Sequence, residues 1–148
     1  MSQVTAFIDA LHRLEQSGDP EQIVNLFAED AYLSSPLVEH LAGENNAARA
    51  FWSGYRGAFD SVESVFRNIG TGESATLLEW TTEATIDGRS FIYDGVSVLE
   101  FGEERIIAFR AYFDPTLLTF RAEGDAEEIA GQNTQLGAAE QRAEGDYS

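Results

Sequence analysis

Few side chains in this 148-residue chain can move a proton or hold a metal, and their spacing narrows the chemistry. There is no cysteine, so thiolate catalysis and disulfides are excluded. The two histidines, His12 and His40, stand alone, which is no zinc-site spacing, and no metal or other cofactor is expected. His40 lies in a loop-like segment after Pro36, where an imidazole can serve as acid, base or donor to a carbonyl. His12, beside apolar Leu11, reads as a surface or core-edge residue. Asp94 sits inside a strand-like run between Tyr93 and Gly95 and can act as a base if it is turned inward. Asp114, just before Pro115, reads as a helix cap. The hydroxyls of Tyr93, Ser97, Thr82 and Ser35 can anchor a ligand. No phosphate loop, Gly-x-Ser-x-Gly elbow or dinucleotide fingerprint occurs.

The elements that must position these residues follow from hydrophobic period. Val4, Phe7, Ile8, Leu11 and Leu14 recur at helical spacing and predict a helix over 4–17, ending near Gly18. Asp19-Pro20 starts a second, short helix with Ile23, Leu26 and Phe27 on its buried face. A short strand is predicted at 31–35, stopped by Pro36, and a third helix from 45 to 59 with Phe51, Tyr55 and Phe59 as one stripe. Tyr55 and Trp52 fit either core or pocket. From residue 62 the period becomes that of strands, with runs at 62–69, 75–86, 89–101 and 105–114. Asp87-Gly88 is a two-residue hairpin signal, and Gly102-Glu103-Glu104 reads as a three-residue loop. Helices followed by an antiparallel meander predict an α+β domain over 1–122. From Glu123 to Ser148 seven acids face one arginine, a tail expected to stay disordered.

Composition agrees with one globular core, burying roughly two thirds of the unfolded surface at this length. The formal charge is −17 and all nine cations are arginines, so nucleic acid is not an expected partner. No apolar run approaches a membrane span, no secretory signal is visible, and a cytoplasmic location is the expectation.

The order of elements, with Leu26-Phe-Ala-Glu-Asp-Ala31 and the closing Phe109-Arg-Ala-Tyr-Phe-Asp114, resembles the nuclear transport factor 2-like superfamily, particularly its SnoaL-like branch. Ketosteroid isomerases and limonene epoxide hydrolases are similar in the same segments. The resemblance covers residues 4 to about 121. It implies a curved antiparallel sheet wrapped by the N-terminal helices into a cone-shaped α+β barrel that admits a small apolar ligand, and a homodimer through the outer sheet face. It also implies losses. The acid that SnoaL-like cyclases carry on the final strand matches Ala111, and the hydrolase machinery matches Trp80, Thr82 and Ala111. The isomerase base matches Ser35, its oxyanion aspartate Ser97 and its tyrosine a position near Leu11. None of these can do the relatives' proton transfer.

Strand alternation selects the inward side chains. On 75–86 the set Leu78, Trp80, Thr82, Ala84 and Ile86 is the more apolar; on 89–101 it is Phe91, Tyr93, Gly95, Ser97 and Leu99; on 105–114 it is Ile107, Phe109, Ala111 and Phe113. Asp94 then lies outside unless a one-residue bulge turns it in. A three-residue loop sets Gly95 opposite Ala111, leaving either a gap for ligand, a close helix contact or a bulge. The leading expectation is a small-molecule-binding domain with anchors Tyr93, Ser97, Thr82, Ser35 and His40 and walls Trp80, Phe91, Phe109 and Phe113. The alternatives are an isomerase, cyclase or hydratase using Asp94 or His40, and a dimerisation module whose cone is filled by its own side chains.

Overall fold

The computed structural model describes residues 2–37, 39–40 (backbone only) and 46–118. The chain divides into Met1–Asp114 and Pro115–Ser148. In the second unit a single helical turn spans 116–118, with Leu118 N–H donating to Pro115 O at 3.2 Å. The proposed tail at 123–148 lies outside the described residues.

The first unit runs α1 (Gln3–Ser17), α2 (Glu21–Val24), β1 (Phe27–Ser34), β2 (Glu39–His40), α3 (Ala47–Gly57), β3 (Ser61–Thr71), β4 (Thr76–Ile86), β5 (Arg89–Phe101) and β6 (Ile106–Phe113). Ser2 caps α1 by accepting Thr5 N–H at 3.1 Å, and Asp19 accepts Glu21 N–H at 3.0 Å ahead of α2. The apolar stripe of α1 buries Phe7, Ala10, Leu11 and Leu14, and α3 buries Ala47, Ala48, Phe51 and Trp52.

The strands form one curved, unclosed sheet in the order β2-β1-β6-β5-β4-β3. The meander is antiparallel as expected, but β1 pairs parallel to β6, so the sheet is mixed. That pairing also draws Phe27 out of the helix expected for it: Ile106 N–H donates to Leu26 O at 2.8 Å and Phe27 faces Ile106. Helical propensity over four residues yields to a long-range ladder.

Asp87 and Gly88, at φ 51° and 80°, make the tight turn that joins Ile86 to its partner Arg89. The β5–β6 connection differs from expectation. Four residues, 102–105, separate the pair Phe101 and Ile106, and Ile107 is an extra residue before Ala108 meets Glu100. One loop residue and one bulge residue together displace the register by two. Gly95 faces Phe113, Ser97 faces Ala111 and Leu99 faces Phe109. The bulge turns Ile107 outward, 45% exposed, and puts Ile106 inside instead. Elsewhere the alternation holds: Leu78, Trp80, Thr82, Ala84, Phe91, Tyr93, Ser97, Leu99, Phe109 and Ala111 are buried.

The core lies between this inner face and the helices. Phe7, Phe27, Phe51, Trp52 and Phe109 pack ring against ring at centroid distances of 4.9–6.5 Å. Each such side chain contributes about 1.5–3 kcal/mol by leaving water.

Candidate functional site

Register aligns the inner face into rows. Ser64, Thr82 and Tyr93 stand side by side on β3, β4 and β5; Phe66, Trp80, Gly95 and Phe113 form the next row toward the other end of β4. The first row is polar in an otherwise apolar surface, and its partner is an acid from α1.

Glu15 is 3% exposed. Its Oε1 accepts Ser64 N–H at 2.9 Å, and its Oε2 accepts the Ser64 hydroxyl at 2.7 Å and the Tyr55 hydroxyl at 2.8 Å. Burying a carboxylate without such donors is costly, so these bonds are what make the position tolerable. Since Ser64 gives its one hydroxyl proton to Glu15, Thr82 must donate in the 2.8 Å Ser64–Thr82 contact. Thr82, Ser64 and Tyr55 therefore all direct protons toward one acid.

The edge of the sheet explains why. β3 has a ladder partner on one side only. At Ser64 the open side is closed by two side chains one turn apart on α1: Glu15 takes the N–H, and His12 Nε2 lies 3.0 Å from the carbonyl. A carbonyl only accepts, so Nε2 carries hydrogen, and Nδ1 holds the lone pair when the ring is neutral. The pair substitutes for a missing strand.

Tyr93 is 4% exposed, and its hydroxyl has no hydrogen-bond partner among the described residues. Burial first, and then the negative charge of Glu15, hold the Tyr93 phenol above the ordinary tyrosine range. The same two causes, in the same order, push Tyr55 up. The Trp52 indole N–H is buried and likewise unpartnered among the described residues.

An open groove of about 1010 Å³ runs between α1 and the β3–β5 end of the sheet. Ile8, His12, Glu15, Ser64, Phe66 and Phe91 are among its walls. It joins an apolar surface to the buried acid.

Of the sequence candidates Phe91 lines this groove, Tyr55 and Thr82 bond the Glu15–Ser64 cluster, and Tyr93 stands beside Thr82; the others lie elsewhere. Trp80 lies across Gly95: a methyl group there would come within 2.5 Å of its Cη2 and Cζ2 atoms and 2.7 Å of Tyr112 O. The gap expected opposite Ala111 is thus filled by indole. Ser97 accepts the Trp80 indole N–H at 2.9 Å, which commits its oxygen to orienting that ring. Trp80, Tyr93 and Phe113 make an aromatic trio at 5.2–6.1 Å. Phe109 sits in the central core beside Phe7, Phe51 and Trp52 rather than on a pocket wall, and Ala111 is buried.

Asp94 is on the outer face, its side chain 66% exposed, accepting the Thr81 hydroxyl at 2.6 Å and lying 3.5 Å from Arg67. The bulge that would turn it inward does not form, because the β4–β5 register is unbroken from Thr76 to Ile86. Ser35 accepts Leu37 N–H at 3.2 Å in the turn after β1, and no contact links it to the polar row among the described residues. The backbone of His40 pairs with Leu33; its side chain lies outside the described residues.

Glu15 and Ser64 are missing from the sequence candidates. Position 15 lies four residues past Leu11 and eight past Phe7, on the apolar stripe of α1, and an acid there was the available signal. Among the described residues no group of three or more His, Cys, Asp or Glu could hold a metal.

A mixed curved sheet backed by short helices defines the class of protein: the fold is that of the NTF2-like proteins. The sequence profile of the SnoaL-like domain matches residues 4–110, and the chain belongs to that family. It is similar in fold to AclR, a putative hydroxylase from Streptomyces galilaeus, at 15% identity and TM-score 0.64, covering 80% of this chain and 93% of that one. It is also similar to an epoxide hydrolase of the LEH-like type from M. tuberculosis, at 18% identity and TM-score 0.61, covering 80% and 87%. TerC, co-crystallised with polyporic acid, aligns at 15% identity and TM-score 0.65 over 81% and 95%. The chain matches no curated protein. No helix of the described residues is long and apolar enough to cross a membrane.

Proposed function

We propose that this SnoaL-like domain binds a small, largely apolar molecule in the groove beside α1. The observation that supports this most is an open groove of about 1010 Å³ that is walled by Ile8, Phe66 and Phe91 and reaches Ser64 and the buried Glu15, with Thr82 and Tyr93 following Ser64 in the same row of the sheet. Phe91 supplies a wall, and Tyr93, whose ring packs against Trp80 and Phe113, stands beside Thr82 in that row as the proposed hydroxyl donor. The test is a thermal-shift screen with steroids, terpenes and aromatic polyketides, followed by Tyr93→Phe and Thr82→Val on each hit. Binding that ignores both substitutions sinks the assignment of the site.

One observation favours a second, enzymatic reading. Glu15 is a carboxylate inside the fold although the relatives' acid is replaced by Ala111, so proton transfer would run through position 15 rather than Asp94. Turnover by the wild type that survives Glu15→Gln sinks this reading. A homodimer through the outer sheet face is part of the same proposal. Val65, Ile92 and Tyr112 are each more than half exposed there. Sedimentation at low micromolar concentration decides it, a monomer being the contrary result.

A further inference from the structure

The geometry points to the chemical class of the groove's occupant, resting on the ligand-binding reading above: an amphipathic cation, an apolar body whose protonated amine docks against Glu15. Glu15 forms no ion pair among the described residues despite being 3% exposed. Arg56 reaches only main-chain oxygens, those of Glu15, Phe59 and Asp60. His12, the one basic side chain among the lining residues, has its Nε2–H committed to the Ser64 carbonyl.

The carboxylate also has room for one more donor. Two oxygens offer about four acceptor positions. Oε2 is used twice and Oε1 once, so one position on Oε1 is unfilled among the described residues. A buried acid that has hydrogen bonds but no countercharge favours a cation over a neutral donor and a neutral donor over an anion.

The rest of the lining agrees. Glu63 and Glu83 stand directly opposite each other on the outer face of β3 and β4, away from the side chain of Glu15. No arginine lines the groove, so nothing there receives a carboxylate or phosphate. Ile8, Val62, Ala84 and Phe91 supply the apolar wall, and Phe66 and Phe91 present aromatic surfaces that tolerate an ammonium.

Three naphthalene probes of one shape separate the possibilities: 1-naphthylmethylamine, 1-naphthylmethanol and 1-naphthoate, titrated calorimetrically into the full chain at high salt to suppress the general attraction of a −17 surface. The amine is expected to bind about tenfold tighter than the alcohol, and the naphthoate more weakly than either, the difference expected of one charge-assisted hydrogen bond. Amide shifts on binding should centre on Ser64 and Ala84. Glu15→Gln should remove the amine's advantage over the alcohol; circular dichroism checks that this variant folds. Glu63→Gln/Glu83→Gln, on the outer face of the sheet, should leave the preference unchanged at high salt. An alcohol or anion that binds as well as the amine overturns the cation inference while leaving ligand binding intact, as does an amine preference that survives Glu15→Gln. Failure of all three probes to shift Ser64 or Ala84 overturns both the inference and the groove assignment.

Discussion

Replacing Glu15 by leucine tests the central claim that the buried acid is held by its donors and holds them in turn. The substitution keeps the volume and removes both acceptor oxygens. Only one proton fits between the Ser64 and Thr82 oxygens, 2.8 Å apart, so three donors are stranded: the Ser64 N–H, the Tyr55 hydroxyl and one of those two hydroxyls. Each stranded buried donor costs about 1–3 kcal/mol, or ~3–9 together. Burying leucine in place of a carboxylate returns ~1–2 kcal/mol. The net loss is about 1–8 kcal/mol, a large share of the ~5–15 kcal/mol that stabilises a typical domain. Urea unfolding followed by tryptophan fluorescence reads it, with the slope unchanged if the folded state is otherwise intact. The sign of a second change makes the test sharp. Tyr55→Phe should destabilise the wild type, where it removes a bond to Glu15, and stabilise Glu15→Leu, where it removes a stranded hydroxyl. If Glu15→Leu lies within ~0.5 kcal/mol of wild type, or Tyr55→Phe has the same sign in both backgrounds, the cluster is not the linked unit derived from its geometry.

Further outcomes follow from the packing. Gly95→Ala should lower stability by about 1–3 kcal/mol, because its methyl meets both the Trp80 ring and the fixed Tyr112 carbonyl; Trp80→Phe should recover only part of the loss in a thermal melt. Ser97→Ala strands the buried Trp80 N–H and should cost ~1–3 kcal/mol in the same assay. The raised Tyr93 and Tyr55 phenols make stability fully present below the ordinary tyrosine value of 10 and lost as pH rises above it, since the folded state holds those protons longer than the unfolded chain. Alkaline melts should therefore show falling stability above that pH, with Tyr93→Phe flattening the slope, and an unchanged slope would contradict the burial. Asp94→Asn, on the exposed outer face, should leave both stability and ligand binding within error, the surface pair with Arg67 being worth little.

What could be read from the residues alone was whatever depends on near neighbours. The helix of Phe7, Leu11 and Leu14, the β4 and β5 spans, the Asp87-Gly88 turn and the inward set Leu78, Trp80, Thr82, Phe91 and Tyr93 all follow from period and turn chemistry within a few residues. The family likeness of 4–110 was legible for the same reason, since short motifs in fixed order survive as local text.

Tertiary structure decided everything that joins distant segments. A bulge at Ile107 and one more loop residue moved Phe113 opposite Gly95, and no local pattern specifies where an extra residue leaves a ladder. Whether Gly95 left a hole depended on where the Trp80 ring fell, and it fell on the glycine. The parallel pairing of β1 with β6 took Phe27 from its helix. Most of all, an acid on the apolar stripe of α1 became a site only when the open edge of β3 brought Ser64 within 2.7 Å of it, 49 residues along the chain. Period identifies which side of an element is buried; only the packed fold determines what that side meets, because a buried charge is tolerated solely where donors from elsewhere converge on it.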